Sequence, residues 1–338
     1  MQKIDRAIDR SNMLADYALW AEKGIEVLNY QFEAERQQDE INIFCAGMGA
    51  SAAPAEIFVD NGYRLKIVQN HILPRDIGSK DTLIAVSLSG NTEETVLALK
   101  AAIAKGIKCI GISNAGKIKE ICLSNSIPHL AIPKMLTSRS SFPIIASALA
   151  LVLSKLYGQT KILEEMKQWY DSLSSLSKRL LNEETENQSI SIASFMLNAT
   201  HLTIYHSPYT AGIARRMRNV LSENAKARST ITDIMDVQHD GITCWENDYG
   251  SKLILLPSQR DDEVISSRFS AVADVVKSLG FGVSQISSTG QGLQYLLNIV
   301  YTMDIATIYL ALMRRLDPSV NRAQELLRRR LEGKQPLL

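Results

Sequence analysis

The chain has 338 residues, 46% of them hydrophobic and 22% charged, with 37 basic and 36 acidic side chains and a formal net charge of +1. That length suits about two ordinary domains with a substantial core, and the charge balance excludes a broad nucleic-acid footprint or a polyanionic partner. Any anion must therefore be recognised locally, by a loop or a pocket.

The start, Met1-Gln2-Lys3-Ile4-Asp5-Arg6, alternates charge without an apolar stretch, which argues against a secretory leader. Apolar side chains at Met13, Leu14, Tyr17, Trp20, Ala21 and Ile25 then recur at helical spacing, predicting a helical segment over about Asp5 to Arg36. Short apolar strands follow at Asn42–Ala46, Leu65–Val68, Leu83–Val86, Cys109–Ile112 and His129–Ile132, with a helix at Glu93–Lys105. Strands alternating with helices imply a parallel sheet wound on both faces, with its ligand loops along the strand carboxyl ends.

A helix from Ser141 to Leu156 closes this unit, and Tyr157-Gly158-Gln159 reads as a junction. A long amphipathic helix, interrupted near Asn182 to Asn187, leads into a looser repeat: strands at Leu202–Tyr205 and Leu253–Leu256, and a helix at Asp262–Leu279. Leu293, Leu296, Leu297 and Val300 mark a core helix, and Arg322–Arg330 a basic terminal one. The uncharged run Ser140–Ser154 is shorter than the roughly 20 residues of a spanning helix. Ser278–Met303 is long enough but carries scattered Gly, Ser, Gln and Asn, so both runs are expected inside protein rather than membrane. The expected fold is α/β, with two doubly wound parallel-sheet domains in tandem, the second degenerate: an N-terminal segment 1–40, then 41–158 and 159–338.

Cys45, Cys109, Cys122 and Cys244 lie far apart, without Cys-x-x-Cys or a histidine at ligand spacing, so reduced, buried thiols in a cytoplasmic protein are expected and no metal site.

The most informative segment is Ser87-Leu88-Ser89-Gly90-Asn91-Thr92-Glu93, which follows a buried strand and opens a helix. Hydroxyls at Ser87, Ser89 and Thr92 can converge on one tetrahedral anion, and Gly90 lets backbone N–H groups face the same point. A helix cap would account for one hydroxyl; this loop supplies three. Gly47-Met48-Gly49-Ala50-Ser51-Ala52 matches a dinucleotide fingerprint by spacing alone. The second strand ends Val68-Gln69-Asn70-His71, without the acid a ribose needs, so Gly49, Ala50 and Ser51 fit a close backbone approach to a sugar better.

In this order and spacing the two loops resemble the sugar isomerase (SIS) domain. Ser222-Glu223-Asn224-Ala225-Lys226, with His239 sixteen positions beyond Glu223, resembles the bifunctional phosphoglucose/phosphomannose isomerases, as does the stretch from Tyr309 to Asp317-Pro318 and its basic helix. The likeness runs from about residue 40 to 332. It implies a sugar-phosphate substrate held by Ser87, Ser89 and Thr92, with Glu223 as base and Arg139 as the cation for the charged intermediate. It also implies a homodimer in which His239 reaches the partner's site to open the ring, and no metal or organic cofactor. The family carries a lysine on the terminal helix; Arg328 stands there, flanked by Arg329 and Arg330, and Lys334 lies outside the pattern.

The residue types suit aldose–ketose isomerisation, which needs a carboxylate beside two carbons, a cation near the developing oxyanion and an acid/base for the ring. Read without the resemblance, Glu223 is also an ordinary helix-terminal glutamate and His239 a loop histidine with even chances of either role. His71, His129, His201 and His206 are expected to be structural, and Asp304 a hydrogen-bonded acid within its apolar helix. A sugar-phosphate sensor without turnover stays open because arginine replaces a proton-exchanging lysine. An amide-transferring synthase would need an N-terminal nucleophile, which Gln2 does not provide.

Overall fold

A computed structural model describes residues 4–36, 41–184, 187–247, 250–331 and 333. The expected N-terminal helical segment is in pieces: a 3₁₀ turn at Arg6–Ile8, then α1 (Met13–Ala18) and α2 (Trp20–Leu28). Packing is the reason. Trp20 stacks on Tyr17 and Phe142 with ring centroids 4.8 and 5.5 Å away, and this aromatic cluster sets the chain's path more strongly than helical propensity does.

The first sheet contains β1 (Ile43–Ala46), β2 (Lys66–Val68), β3 (Thr82–Val86), β4 (Lys108–Ser113) and β5 (His129–Ala131). All pair in parallel, in the order β2-β1-β3-β4-β5. β1 and β3 are buried on both faces, as their unbroken apolar sequence requires. Connecting helices α3 (Ala53–Asp60), α4 (Glu93–Ala104) and α5 (Gly116–Ser124) are followed by α6 (Phe142–Tyr157), which Gly158 ends at φ +64°.

α7 (Lys161–Leu181) and α8 (Gln188–Met196) lead to the second sheet. Asn187 joins them: its amide donates to Leu180 O at 2.6 Å and its oxygen accepts from Ile190 N at 3.1 Å. Strand β6 (His201–His206) and helix α9 (Ala211–Ala225) come next, then β7 (Ser229–Asp233), the short turn α10 (Ile234–Asp236) and β8 (Ser251–Leu256). α11 (Glu263–Ser278), β9 (Gly282–Gln285), α12 (Gly292–Met313) and α13 (Arg322–Leu331) complete the chain. The parallel order β7-β6-β8-β9 repeats β2-β1-β3-β4 and, among the described residues, lacks a fifth strand, which is the degenerate duplication the sequence suggested.

One continuous core joins the halves, running from Trp20 and Phe142 through Trp169 to Ile204, Leu297 and Tyr301. Smaller cores lie under α4 and α5, and under α11. α12 is long and apolar enough to cross a membrane, yet its apolar stretch is wholly buried within the protein. Three of the cysteines are buried as expected; Cys244 is exposed, on the 3₁₀ turn Thr243–Asn247 between β7 and β8.

Candidate functional site

At the carboxyl end of β3 the chain turns through the hydroxyl-rich loop. Ser87 is fully buried and its N–H donates to Ile112 O of β4 at 3.0 Å, fixing the loop to the sheet. Gly90 has φ +72°, and a β-carbon there would sit 1.7 Å from Ala115 O, so glycine is required on both counts. Its N–H donates to Ser87 O at 2.9 Å and, more weakly, to Ser87 Oγ at 3.2 Å. The Ser87 and Thr92 hydroxyls are 2.8 Å apart. Thr92 stands at the N-cap of α4 but its side chain caps nothing, so the capping explanation fails for the residue where it mattered most. Ser89 is exposed and accepts from Asn91 N at 3.2 Å.

The Gly49–Ser51 turn lies beside this loop after β1. Gly49 is exposed at φ +52°, Ala50 is half-buried, and Ser51 is buried with its Oγ accepting from Leu88 N at 3.3 Å. Ser51 thus ties two loops together, a role its sequence did not reveal.

The matching loop of the second sheet is closed. Following β8, the Asp261 carboxylate accepts from Ser258 N at 2.7 Å and from the Ser207 hydroxyl, while Asp262 caps α11. There a carboxylate of the chain itself takes donors that an anion would use; among the described residues the first-sheet loop has no such carboxylate as a hydrogen-bond partner.

Arg139 comes from the loop after β5, on the same carboxyl edge as the cradle, and is 3% exposed. Its Nη1 donates to Glu223 Oε2 at 2.7 Å, and its Nη2 to Pro318 O at 3.0 Å. Glu223 lies in the last turn of α9 with its side chain 25% exposed. α9 packs along α3 and against the Gly49–Ser51 turn, which brings a glutamate of the second half to the edge of the first. The Asn321 amide completes the contact: in the orientation that satisfies both ends it donates to Glu223 O at 2.8 Å and accepts from Arg139 Nη1 at 2.6 Å.

Beneath Arg139 is a buried ion pair. Arg216 of α9 donates to both carboxylate oxygens of Asp304, and to Arg139 O at 2.8 Å. Tyr17 donates its hydroxyl to Asp304 at 3.0 Å. Burial pushes the Asp304 carboxyl up while Arg216 pulls it down, and the pairing explains an acid inside an apolar helix. Lys226 is bonded to the main chain around Glu223, donating to Glu223 O at 2.8 Å.

Glu223 opens onto a cleft of about 1090 Å³, whose lining includes Arg10, Lys226, Asp317, Asn321 and Arg322. Arg328 lies on α13 beside a neighbouring cavity of about 460 Å³ that shares Asn321 and Arg322, and donates to Glu325 at 2.8 Å. His239 is exposed on the turn Val237–Gly241 after β7, 3.2 Å from the Gln238 amide. Among the described residues no hydrogen bond joins His239 or Arg328 to Glu223, Arg139 or the cradle. Lys334 lies outside the described residues. His129 and His206 are hydrogen-bonded within the fold, to Ser113 Oγ at 2.8 Å and Ser207 O at 2.9 Å.

Residues 185–331 match the bacterial phospho-glucose isomerase C-terminal SIS domain. A bifunctional phosphoglucose/phosphomannose isomerase of Caldicellulosiruptor bescii is 26% identical over 88% of this chain and 91% of its own. A D-glucosamine-6-phosphate 4-epimerase of Sulfolobus acidocaldarius is 28% identical over 75% of this chain and 80% of its own. Among solved structures, a protein of Clostridium difficile 630 assigned to the phosphosugar isomerases superposes with a TM-score of 0.71 at 15% identity, covering 97% of this chain and 99% of that one.

Proposed function

We propose that this chain, a SIS-domain relative of the bifunctional phosphoglucose/phosphomannose isomerases, interconverts glucose 6-phosphate, mannose 6-phosphate or both with fructose 6-phosphate, using Glu223 as the base. The observation that carries the reading is the Arg139–Glu223 contact. It joins a carboxylate to a fixed cation on the strand edge that also bears the hydroxyl cradle.

In this reading Ser87, Ser89 and Thr92 hold the phosphate, with backbone N–H groups and the N-terminal dipole of α4 favouring its charge. Gly49, Ala50 and Ser51 bring the backbone close to the sugar. The Glu223 carboxylate removes the C2 proton of the opened aldose and returns it to C1, through a cis-enediolate. Arg139, buried and always charged, faces the oxygen on which negative charge develops. His239 opens the ring from the partner of a homodimer, and Arg328 contributes positive charge from α13. No organic cofactor or metal enters the scheme, and the setting is cytoplasmic.

A competing reading, a sugar-phosphate binder without turnover, is favoured by Arg328 alone, since arginine does not exchange a proton with a ring oxygen. The 4-epimerase relative widens the substrate question to amino sugars. A panel of fructose, glucose, mannose and glucosamine 6-phosphates, run on wild type and Glu223→Gln, tests all three. The isomerase reading expects interconversion among hexose 6-phosphates that vanishes in Glu223→Gln while binding persists. Binding without interconversion by the wild type overturns it.

A further inference from the structure

We infer that Lys226 is a positioning residue for Glu223: its ammonium ties the last turn of α9 to the Asp317–Pro318 turn and so holds the carboxylate against Arg139. Lys226 follows α9 at φ +52°, a left-handed conformation that favours glycine at a helix end. A side chain in that place is disfavoured by the backbone, so its retention asks for a compensating contact.

The contact is visible. Although the residue as a whole is exposed, its Nζ turns back onto main-chain carbonyls, donating to Glu223 O at 2.8 Å, Asn224 O at 3.3 Å and Asp317 O at 3.2 Å. An ammonium has three N–H groups, and all three have acceptors. Two of those acceptors are carbonyls of the final turn of α9, which a helix leaves unpaired, and a cation there also suits the helix dipole. The third belongs to the residue before Pro318, whose own carbonyl receives Arg139. Glu223 O therefore receives both Lys226 and Asn321, while Arg139 holds the Glu223 carboxylate, and the Asp317–Asn321 turn connects the three donors. The charged groups that act on Glu223 or share its cleft are Arg139 before α6, Arg216 within α9, Asp5 and Arg10 near the N-terminus, Arg315 and Asp317 after α12, Arg322 at the start of α13 and Lys226 itself. Lys226 is the member of this set bonded to the glutamate's own backbone.

The catalytic meaning of this clamp rests on the isomerase reading; its geometry does not. The test uses the full chain in two variants. K226G suits the left-handed backbone and removes the clamp, whereas K226M keeps the stem and removes only the ammonium. Thermal melts establish that both fold. The Glu223 carboxyl ¹³C resonance, assigned by its loss in Glu223→Gln, is recorded in wild type and K226M at one pH, and is expected to move and broaden in K226M as the carboxylate loses its fixed place against Arg139. With fructose 6-phosphate, both variants are expected to lose about tenfold in kcat with KM within about twofold, as misplacement of a base produces. An unchanged Glu223 resonance in K226M, or wild-type kcat in both variants, overturns the inference. If the wild type turns over no sugar phosphate, the isomerase reading fails by itself and the resonance alone decides Lys226.

Discussion

The Arg139 guanidinium donates to the Glu223 carboxylate at 2.7 Å across 84 positions of sequence, joining the loop after the last strand of one sheet to the last turn of a helix from the other. This contact links the two halves of the chain at the edge of the first sheet. Arg139→Lys keeps a charge but loses the planar fork that reaches Glu223 and Pro318 O together, and Arg139→Met removes the cation altogether. Steady-state kinetics with fructose 6-phosphate are expected to show losses in kcat of about 10-fold for Lys and about 100-fold or more for Met. Equal, small effects for both would remove Arg139 from the chemistry.

The cradle makes a different kind of prediction. Ser87 and Thr92 share a hydrogen bond with each other, and in the proposed reading a bound phosphate takes over that bond. Ser87→Ala and Thr92→Val are each expected to weaken sugar-phosphate binding about tenfold, measured by calorimetry, with little change in kcat. Loss of kcat without loss of affinity would relocate the phosphate.

The Arg216–Asp304 pair is fully buried, and removing one partner leaves an uncompensated charge. Arg216→Met and Asp304→Asn are each expected to destabilise the fold by about 3–5 kcal/mol in urea denaturation, the second because it leaves the Arg216 guanidinium charged, buried and unpaired. A cost near zero for Arg216→Met would mean that the pair is solvated or dispensable.

Asp60, at the end of α3, accepts from the N–H groups of Gly212 and Ile213 at the start of α9. Burial nonetheless pushes its carboxyl up to about 7 from the ordinary 3.8. The native state then binds this proton more tightly than the unfolded chain does. The contribution of Asp60 to stability is therefore present below about pH 4, falls as pH rises between about 4 and 7, and is level above that. Asp60→Asn keeps an acceptor for Gly212 and loses the titration. Urea midpoints taken across this range are expected to show a flatter profile in the variant, and an unchanged profile would assign the carboxyl an ordinary value.

Much of this was legible in the sequence because it is local. The strands of the first sheet are unbroken apolar runs, and the serine loop carries its glycine where the backbone must turn left-handed against Ala115. β7 and β9 escaped notice because Ser229-Thr230-Ile231-Thr232-Asp233 and Gly282-Val283-Ser284-Gln285 are edge strands, partly exposed and polar, with little periodic signal. The broken N-terminal helix, the exposed Cys244 and the partner of Asp304 depend on contacts from distant sequence. Arg216 is 88 positions from Asp304, and no spacing rule joins them. Lys226 was visible as part of Glu-Asn-Ala-Lys, but its left-handed backbone and its three carbonyl acceptors belong to the folded chain alone.

Proton exchange at carbon tests the central claim most directly. Fructose 6-phosphate incubated with the wild type in heavy water is expected to yield aldose 6-phosphate carrying deuterium at C2, and Glu223→Gln to yield none while still binding the sugar. Aldose formed by Glu223→Gln at the wild-type rate, or sugar phosphate bound by the wild type without any deuterium entering carbon, would contradict the assignment of Glu223 as the base.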